Sequence, residues 1–325
     1  MRGSGDPMDE QRDVGPCSFF PRRSIRRSLT AFLLLGASCS TSQTPETLGA
    51  RAPASPTATA STPTHLPSPE PAPALVTTAG DAGSPSLPRL PPLATEADLL
   101  PLAVAGFRDA MVSVPTGATQ PRPVVLALHG NFDRPEWQCE VWRGITQGRA
   151  FVVCPRGIPR PDAPKSLDRW TYGKSTDVRA EIDAALAALD ARFSGYVADG
   201  PILYAGFSLG AIHGVGIVAG DAKRFPRAVL VEGGHDGWTA ARAKSFAAAG
   251  GKRVLFACGQ RACKTEAATA RKNLDHAGIA TELVYGGEVG HTYDGPVAAE
   301  ITRVFPWLVD GDPRFDTDPK TENPR

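Results

Sequence analysis

The run Gly206-Phe207-Ser208-Leu209-Gly210 sets one serine between two glycines, directly after an apolar stretch and directly before a run of small residues. A serine so placed sits on a sharp strand-to-helix turn, and the helix N-terminus behind it favours negative charge developing at the reaction centre. The flanking glycines let strand and helix approach closely. This is the setting of a nucleophile, provided that a base takes the hydroxyl proton. Six histidines are available. His65 lies in a proline-rich segment and His276 on a predicted surface helix. His129 ends a strand, and His213 follows Ser208 by one turn of its own helix, where packing accounts for it. His235 follows a strand and stays open as a base. His291, in Gly290-His291-Thr292-Tyr293-Asp294, lies between the last predicted strand and the last predicted helix, and is the favoured base.

The elements that must hold these groups are legible as alternating patterns. One or two leading strands are expected in 102–115. Short runs rich in Val, Ile and Leu follow at Pro123–His129, Ala150–Cys154, Ile202–Phe207, Ala228–Val231, Arg253–Ala257 and Glu282–Tyr285. Such runs suit strands buried on both faces. Between them, Asp177–Phe193 carries Val178, Ile182, Leu186, Leu189 and Phe193 at helical spacing. Ala240–Ala249, Thr265–Ala277 and Ala298–Leu308 read as further helices. The alternation predicts an α/β fold: a mostly parallel, doubly wound sheet with helices on both faces and right-handed crossovers.

With the serine turn between a buried strand and a small-residue helix, the stretch from His129 to His291 resembles the α/β-hydrolase superfamily, and residues 102–309 are consistent with it. The resemblance is to the broad group of esterases, dienelactone hydrolases and depolymerase-like enzymes. It implies an oxyanion hole made of two backbone N–H groups. One belongs to Leu209, after the nucleophile, and the other to Asn131, in the His129-Gly130-Asn131 loop. Two fixed donors stabilise an acyl-transfer intermediate by several kcal/mol where water is excluded. It also implies the chain order serine, acid, histidine, with the acid after the strand Arg253–Ala257. This sequence departs there: Cys258 to Glu266 contains no Asp, and Glu266 lies well into the following helix. Some members carry the acid one strand earlier, where this chain has Glu232 at a strand's C-terminal end, the end at which catalytic groups gather in open α/β sheets. Glu232 is therefore the expected acid, with Asp236, Glu266 and a dyad lacking an acid as alternatives.

The expected reaction is hydrolysis of a carboxylic ester, small or polymeric, through an acyl-enzyme. A serine peptidase uses the same parts, and a non-catalytic envelope binding protein that keeps the fold is the rival from another class. The loop Arg156–Lys174, with Arg160, Asp162, Trp170 and Tyr172, is expected to form a small lid or one wall of the pocket. The cysteine and histidine spacing shows no metal-ligand cluster, and no cofactor is implied.

The remaining residues speak of location. Of 325 residues, 42% are apolar, and Lys plus Arg number 35 against 34 for Asp plus Glu. A net charge of +1 offers no electrostatic reason for a nucleic-acid partner. Arg22, Arg23, Arg26 and Arg27 precede a short apolar run through Leu35, then Gly36, Ala37, Ser38 and Cys39. These are the parts of an export signal over residues 1–39. Small residues ending in cysteine resemble the lipobox of bacterial lipoproteins, which implies lipidation at Cys39 and a membrane contact through that anchor alone; Gly36 departs from the larger aliphatic residue that pattern prefers, and simple secretion is the alternative. Residues 40–98 hold twelve prolines and no Phe, Trp or Tyr, the composition of a disordered spacer. A folded domain is expected over 99–310 and a disordered tail over 311–325. In an exported chain the four domain cysteines suggest two disulfides. Of the three pairings, Cys139–Cys154 and Cys258–Cys263 are preferred, the second closing the loop that in relatives supplies the acid.

Overall fold

The computed structural model describes residues 89–316. The expected export signal, Cys39, the spacer up to residue 88 and residues 317–325 lie outside the described residues.

Eight strands form the central sheet. In chain order they are β1 (Leu99–Leu102), β2 (Ala110–Ser113), β3 (Val124–Leu128), β4 (Phe151–Cys154), β7 (Leu203–Phe207), β8 (Arg227–Val231), β9 (Arg253–Cys258) and β10 (Ala280–Tyr285). Side by side they run β1-β2-β4-β3-β7-β8-β9-β10. The β1–β2 and β2–β4 pairings are antiparallel, and the rest are parallel. A two-stranded hairpin, β5 (Ile158–Pro159) with β6 (Trp170–Thr171), stands apart from the sheet.

The central strands are largely apolar because both faces are covered. Alternate side chains serve opposite layers. From β3, Val124, Leu126 and Leu128 enter one core while Val125 and Ala127 enter the other. Helices α2 (Ser175–Arg192), α3 (Leu209–Gly220), α4 (Ala240–Ala248) and α5 (Arg261–His276) cover the first face. Helices α1 (Pro135–Thr146) and α6 (Gly295–Val309) cover the second, with Trp142, Ile301 and Phe305 buried between them and the sheet. Each such side chain, fully buried, contributes about 1.5–3 kcal/mol. No helix among the described residues is long and apolar enough to cross a membrane.

Ordered packing passes the expected limits of 99–310 at both ends. The Leu93 side chain is buried and its N–H donates to Ala118 O at 2.9 Å. Beyond α6, a short 3-10 turn at Pro313–Phe315 buries Phe315 edge-on against Phe305. At each end a buried apolar side chain acts with hydrogen bonds around it, Gly117 N–H to Leu93 O at 2.7 Å and Arg314 to Pro201 O at 2.7 Å, against a polar, proline-rich composition.

Cys139 is bonded to Cys154, and Cys258 to Cys263. Cys263 does not end a loop as the sequence suggests. Helix α5 starts at Arg261 rather than near Thr265, so Cys263 occupies its first turn.

Candidate active site

Helix α3 leaves the end of β7 immediately after Ser208. The turn requires an unusual backbone: Ser208 has φ 50° and ψ −112°. Such a conformation costs on the order of 1–3 kcal/mol in a non-glycine residue and persists only when its surroundings hold it. The two glycines of the motif permit the crossing. A Cβ on Gly206 would stand 2.7 Å from the Gly210 backbone, and one on Gly210 would stand 2.4 Å from Leu128 O.

His291 lies beyond β10, in the segment leading to α6. Its Nε2 is 2.8 Å from Ser208 Oγ, and its Nδ1 is 3.2 Å from Glu232 Oε2. An ionised carboxylate only accepts, so Nδ1 carries the proton and Nε2 turns its lone pair to the serine hydroxyl. Glu232 follows the last residue of β8 with φ 52°, and its side chain is almost fully buried. A buried charge needs partners. Glu232 has them in the N–H groups of Gly259 and, at 3.0 Å, Gln260, both donating to Oε1. The turn after β9, expected to lack an acid, thus supplies two amides to the acid of the neighbouring strand.

The other two carboxylates weighed for this role lie elsewhere. Asp236 and Glu266 both face His235, at 3.2 Å from its Nδ1 and Nε2, which accounts for His235 apart from the serine. His213 bonds Ser175 Oγ at 3.0 Å, and its partial burial holds its pKa below the ordinary value. His129 is fully buried, with its pKa pushed down by that burial. It stacks on Tyr172, and its ring nitrogens lie 2.7 and 2.9 Å from the carbonyls of Gly130 and Arg156.

Gly130 brings the loop after β3 against the elbow. A Cβ there would meet the Phe207 ring at 2.7 Å and Ser208 Cβ at 3.4 Å. Asn131 is next in the chain, its Oδ1 accepting from Thr171 at 2.7 Å. Leu209 opens α3, so its N–H is among those a helix leaves without an internal acceptor.

Asp133, which the sequence reading passed over, fixes this loop. Its Oδ2 accepts from Gly130 N–H at 3.1 Å, and its Oδ1 from Arg134 N–H at 2.8 Å and Tyr293 O–H at 3.2 Å. Burial, with the Asp133 charge beside it, raises the Tyr293 pKa well above the ordinary value. The expected lid is a brace instead. Trp170 of β6 pairs with Asp133, and Tyr172 is buried with its hydroxyl donating to Pro155 O at 2.8 Å.

Two groupings hold atoms of metal-ligating type within reach of one another. In one, Glu232 adjoins Cys258 and Cys263, whose sulfurs are bonded to each other and offer no thiolate. In the other, Asp236 and Glu266 flank His235.

The strand order, the helices on both faces and the serine turn after β7 decide the architecture. The fold is that of the α/β-hydrolases. No family model matches the chain, and no curated protein matches it. Among solved structures it is similar to Est1E from Butyrivibrio proteoclasticus, at 12% identity and a TM-score of 0.45, covering 66% of this chain and 99% of that one. It is similar to an S-formylglutathione hydrolase from Agrobacterium tumefaciens at 18% identity and a TM-score of 0.46, covering 65% and 93%. For an uncharacterized protein from Bacillus cereus the identity is 12% and the TM-score 0.48. That match covers 59% of this chain and spans only 60% of the length of that one.

Proposed function

We propose that this chain is a serine hydrolase that cleaves a carboxylic ester through an acyl-enzyme. The observation that carries the reading is the unbroken line from Ser208 Oγ to His291 to Glu232, at 2.8 and 3.2 Å, with the serine on a strained turn at a helix N-terminus. Ser208 attacks the ester carbonyl while His291 Nε2 takes its proton. Glu232 holds the imidazole in the required tautomer and stabilises its positive charge. The N–H groups of Leu209 and Asn131 receive the negative charge on the carbonyl oxygen. His291 returns the proton to the departing alkoxide. Water, activated by the same imidazole, then releases the carboxylic acid and restores Ser208.

The test is labelling of the full oxidised chain with a fluorophosphonate, beside Ser208→Ala and His291→Ala. The expected result is strong labelling of the unaltered protein, lost in both variants while each stays folded. A folded, oxidised protein that resists the probe overturns the reading and leaves the non-catalytic binding protein as its successor. We further propose that the chain is exported and anchored through a lipid on Cys39. Mass spectrometry of the N-terminus recovered from a membrane fraction tests this, and an unprocessed N-terminus overturns it.

A further inference from the structure

We propose that one of the two clefts meeting at His291 is an aromatic subsite, and that the substrates are esters bearing a planar aryl group; this rests on the hydrolase reading. The first cleft, of about 640 Å³, runs from Asn131 and His291 outward past Phe207, Tyr293, Phe132 and Trp137. The second, of about 600 Å³, lies on the other side of His291 and takes in Ser175, His213, Asp236 and Arg242 beside apolar Ile212 and Val215. The two are similar in size and in the apolar share of their lining, but Phe, Tyr and Trp rings line only the first, as suits an ester with one flat arm.

Three features favour an aryl ring in the first cleft. The rings stand partly exposed at its mouth: Phe132 is 44% exposed and Trp137 41%. Large apolar side chains left in water beside a reaction centre mark a surface kept for contact. They are also held there. Phe132 has φ 64°, a conformation that bulky residues rarely take. The N–H groups of Phe132 and Asp133 fix it by donating to Trp170 O at 3.0 and 3.3 Å. The Arg169 guanidinium lies 5.5 Å from the Phe132 ring and 4.6 Å from the Trp137 ring, stacking on both. Lastly, most polar side chains of the cleft are already bonded. Asp133 accepts from Gly130, Arg134 and Tyr293, Thr292 donates to Asp294, and Asn131 accepts from Thr171. A sugar would need open donors and acceptors there. An aryl group needs only ring faces and edges, which Phe132, Trp137, Phe207 and Tyr293 offer beside the exposed Glu140 carboxylate.

The test compares kcat/KM on two matched pairs, methyl cinnamate with methyl butyrate and phenyl acetate with ethyl acetate, for the unaltered chain, Phe132→Ala and Trp137→Ala. Both side chains are solvent-exposed, so neither change threatens the fold. In one pair the aryl member is expected to lose about tenfold in each variant, the equivalent of one buried ring contact, and the aliphatic member less than about twofold. Equal losses within both pairs, or none, overturn the proposal. Where none of the four esters turns over, calorimetric binding of methyl cinnamate to Ser208→Ala decides. Binding that Phe132→Ala removes supports the subsite, and no binding overturns it. Failure of the hydrolase reading is separate, since it appears as a lack of fluorophosphonate labelling.

Discussion

The Gln260 N–H donates to Glu232 Oε1 at 3.0 Å, tying the turn after β9 to a carboxylate at the end of β8. The same turn reaches the other side of the site, where Gly259 O accepts from Val289 N–H at 3.0 Å and Gly290 N–H at 3.1 Å, just before His291. One turn therefore grips both Glu232 and the approach to His291. The Cys258–Cys263 bond closes it, with both residues buried.

The first prediction separates the two disulfides. Loss of Cys258–Cys263, which closes a loop over a sequence separation of 5, is expected to lower stability by about 2 kcal/mol. The Cys258→Ala/Cys263→Ala chain should also lose roughly tenfold in kcat with little change in KM, because displaced Glu232 and His291 act on the chemical step. Cys139–Cys154 joins α1 to β4, away from the site, over a separation of 15. Its removal should lower stability more, by about 3 kcal/mol, and leave kcat alone. Thermal unfolding beside steady-state kinetics reads both. The reverse pattern would place control of the site elsewhere.

Glu232→Gln tests the acid with little change of shape. The amide oxygen still accepts from Gly259 and Gln260, but the NH2 now faces His291 Nδ1 and cannot accept its proton. The imidazole is driven to the tautomer with Nε2 protonated, which cannot take the proton of Ser208. A fall in kcat of about 10⁴-fold is expected, with the folded state intact. A loss under tenfold would mean that the serine and histidine work as a dyad.

Asp133 offers a prediction that depends on reach across the chain. Asp133→Ala frees the Gly130 N–H, and the loop bearing Asn131 loses its anchor against the elbow. The expected loss is about 10²-fold in kcat, the scale of one misplaced oxyanion donor. Tyr293→Phe removes a single bond to the same carboxylate and should cost about fivefold or less, the equivalent of about 1 kcal/mol. Equal effects from the two would point to Tyr293, not Gly130, as the contact that matters.

What the sequence revealed follows from how local each signal is. Strands β2 to β4 and β7 to β10 and the serine turn show in continuous runs of a few residues, whereas β1, at Leu99–Leu102, lies almost wholly before the 102–115 in which leading strands are expected. Glu232 was legible because strand ends in such sheets collect functional groups, even though the usual position was empty. Asp133 was not, since its role is defined by Gly130 in its own loop and by Tyr293, 160 positions away. Read alone, it is an ordinary acid just before α1. Phe132 likewise resembles a core residue until the loop backbone turns it outward, and Trp137 until α1 sets it on its exposed side. The β5–β6 hairpin has two residues per strand, too few for any period to register. Leu93 and Phe315 sit in stretches whose composition outweighs one buried side chain.

The last prediction concerns Glu181 of α2, buried beneath that hairpin, where it accepts from Gly157 N–H at 2.8 Å. Burial raises its pKa above the ordinary 4.5, and the Gly157 bond and the Arg156 charge offset this only in part. The folded chain therefore binds this proton more tightly than the unfolded chain. Glu181 favours folding fully in acid below the unfolded value, and that contribution is lost as pH rises through the folded value. Glu181→Gln keeps an oxygen for Gly157 and removes the charge. The difference in Tm between Glu181→Gln and the unaltered chain should thus move in the variant's favour as pH climbs from about 4 to about 8. A gap independent of pH would show that packing, and not the charge, sets the effect. The turnover number should stay the same, because Glu181 reaches the site only through the hairpin backbone, and Gln holds that backbone by the same bond.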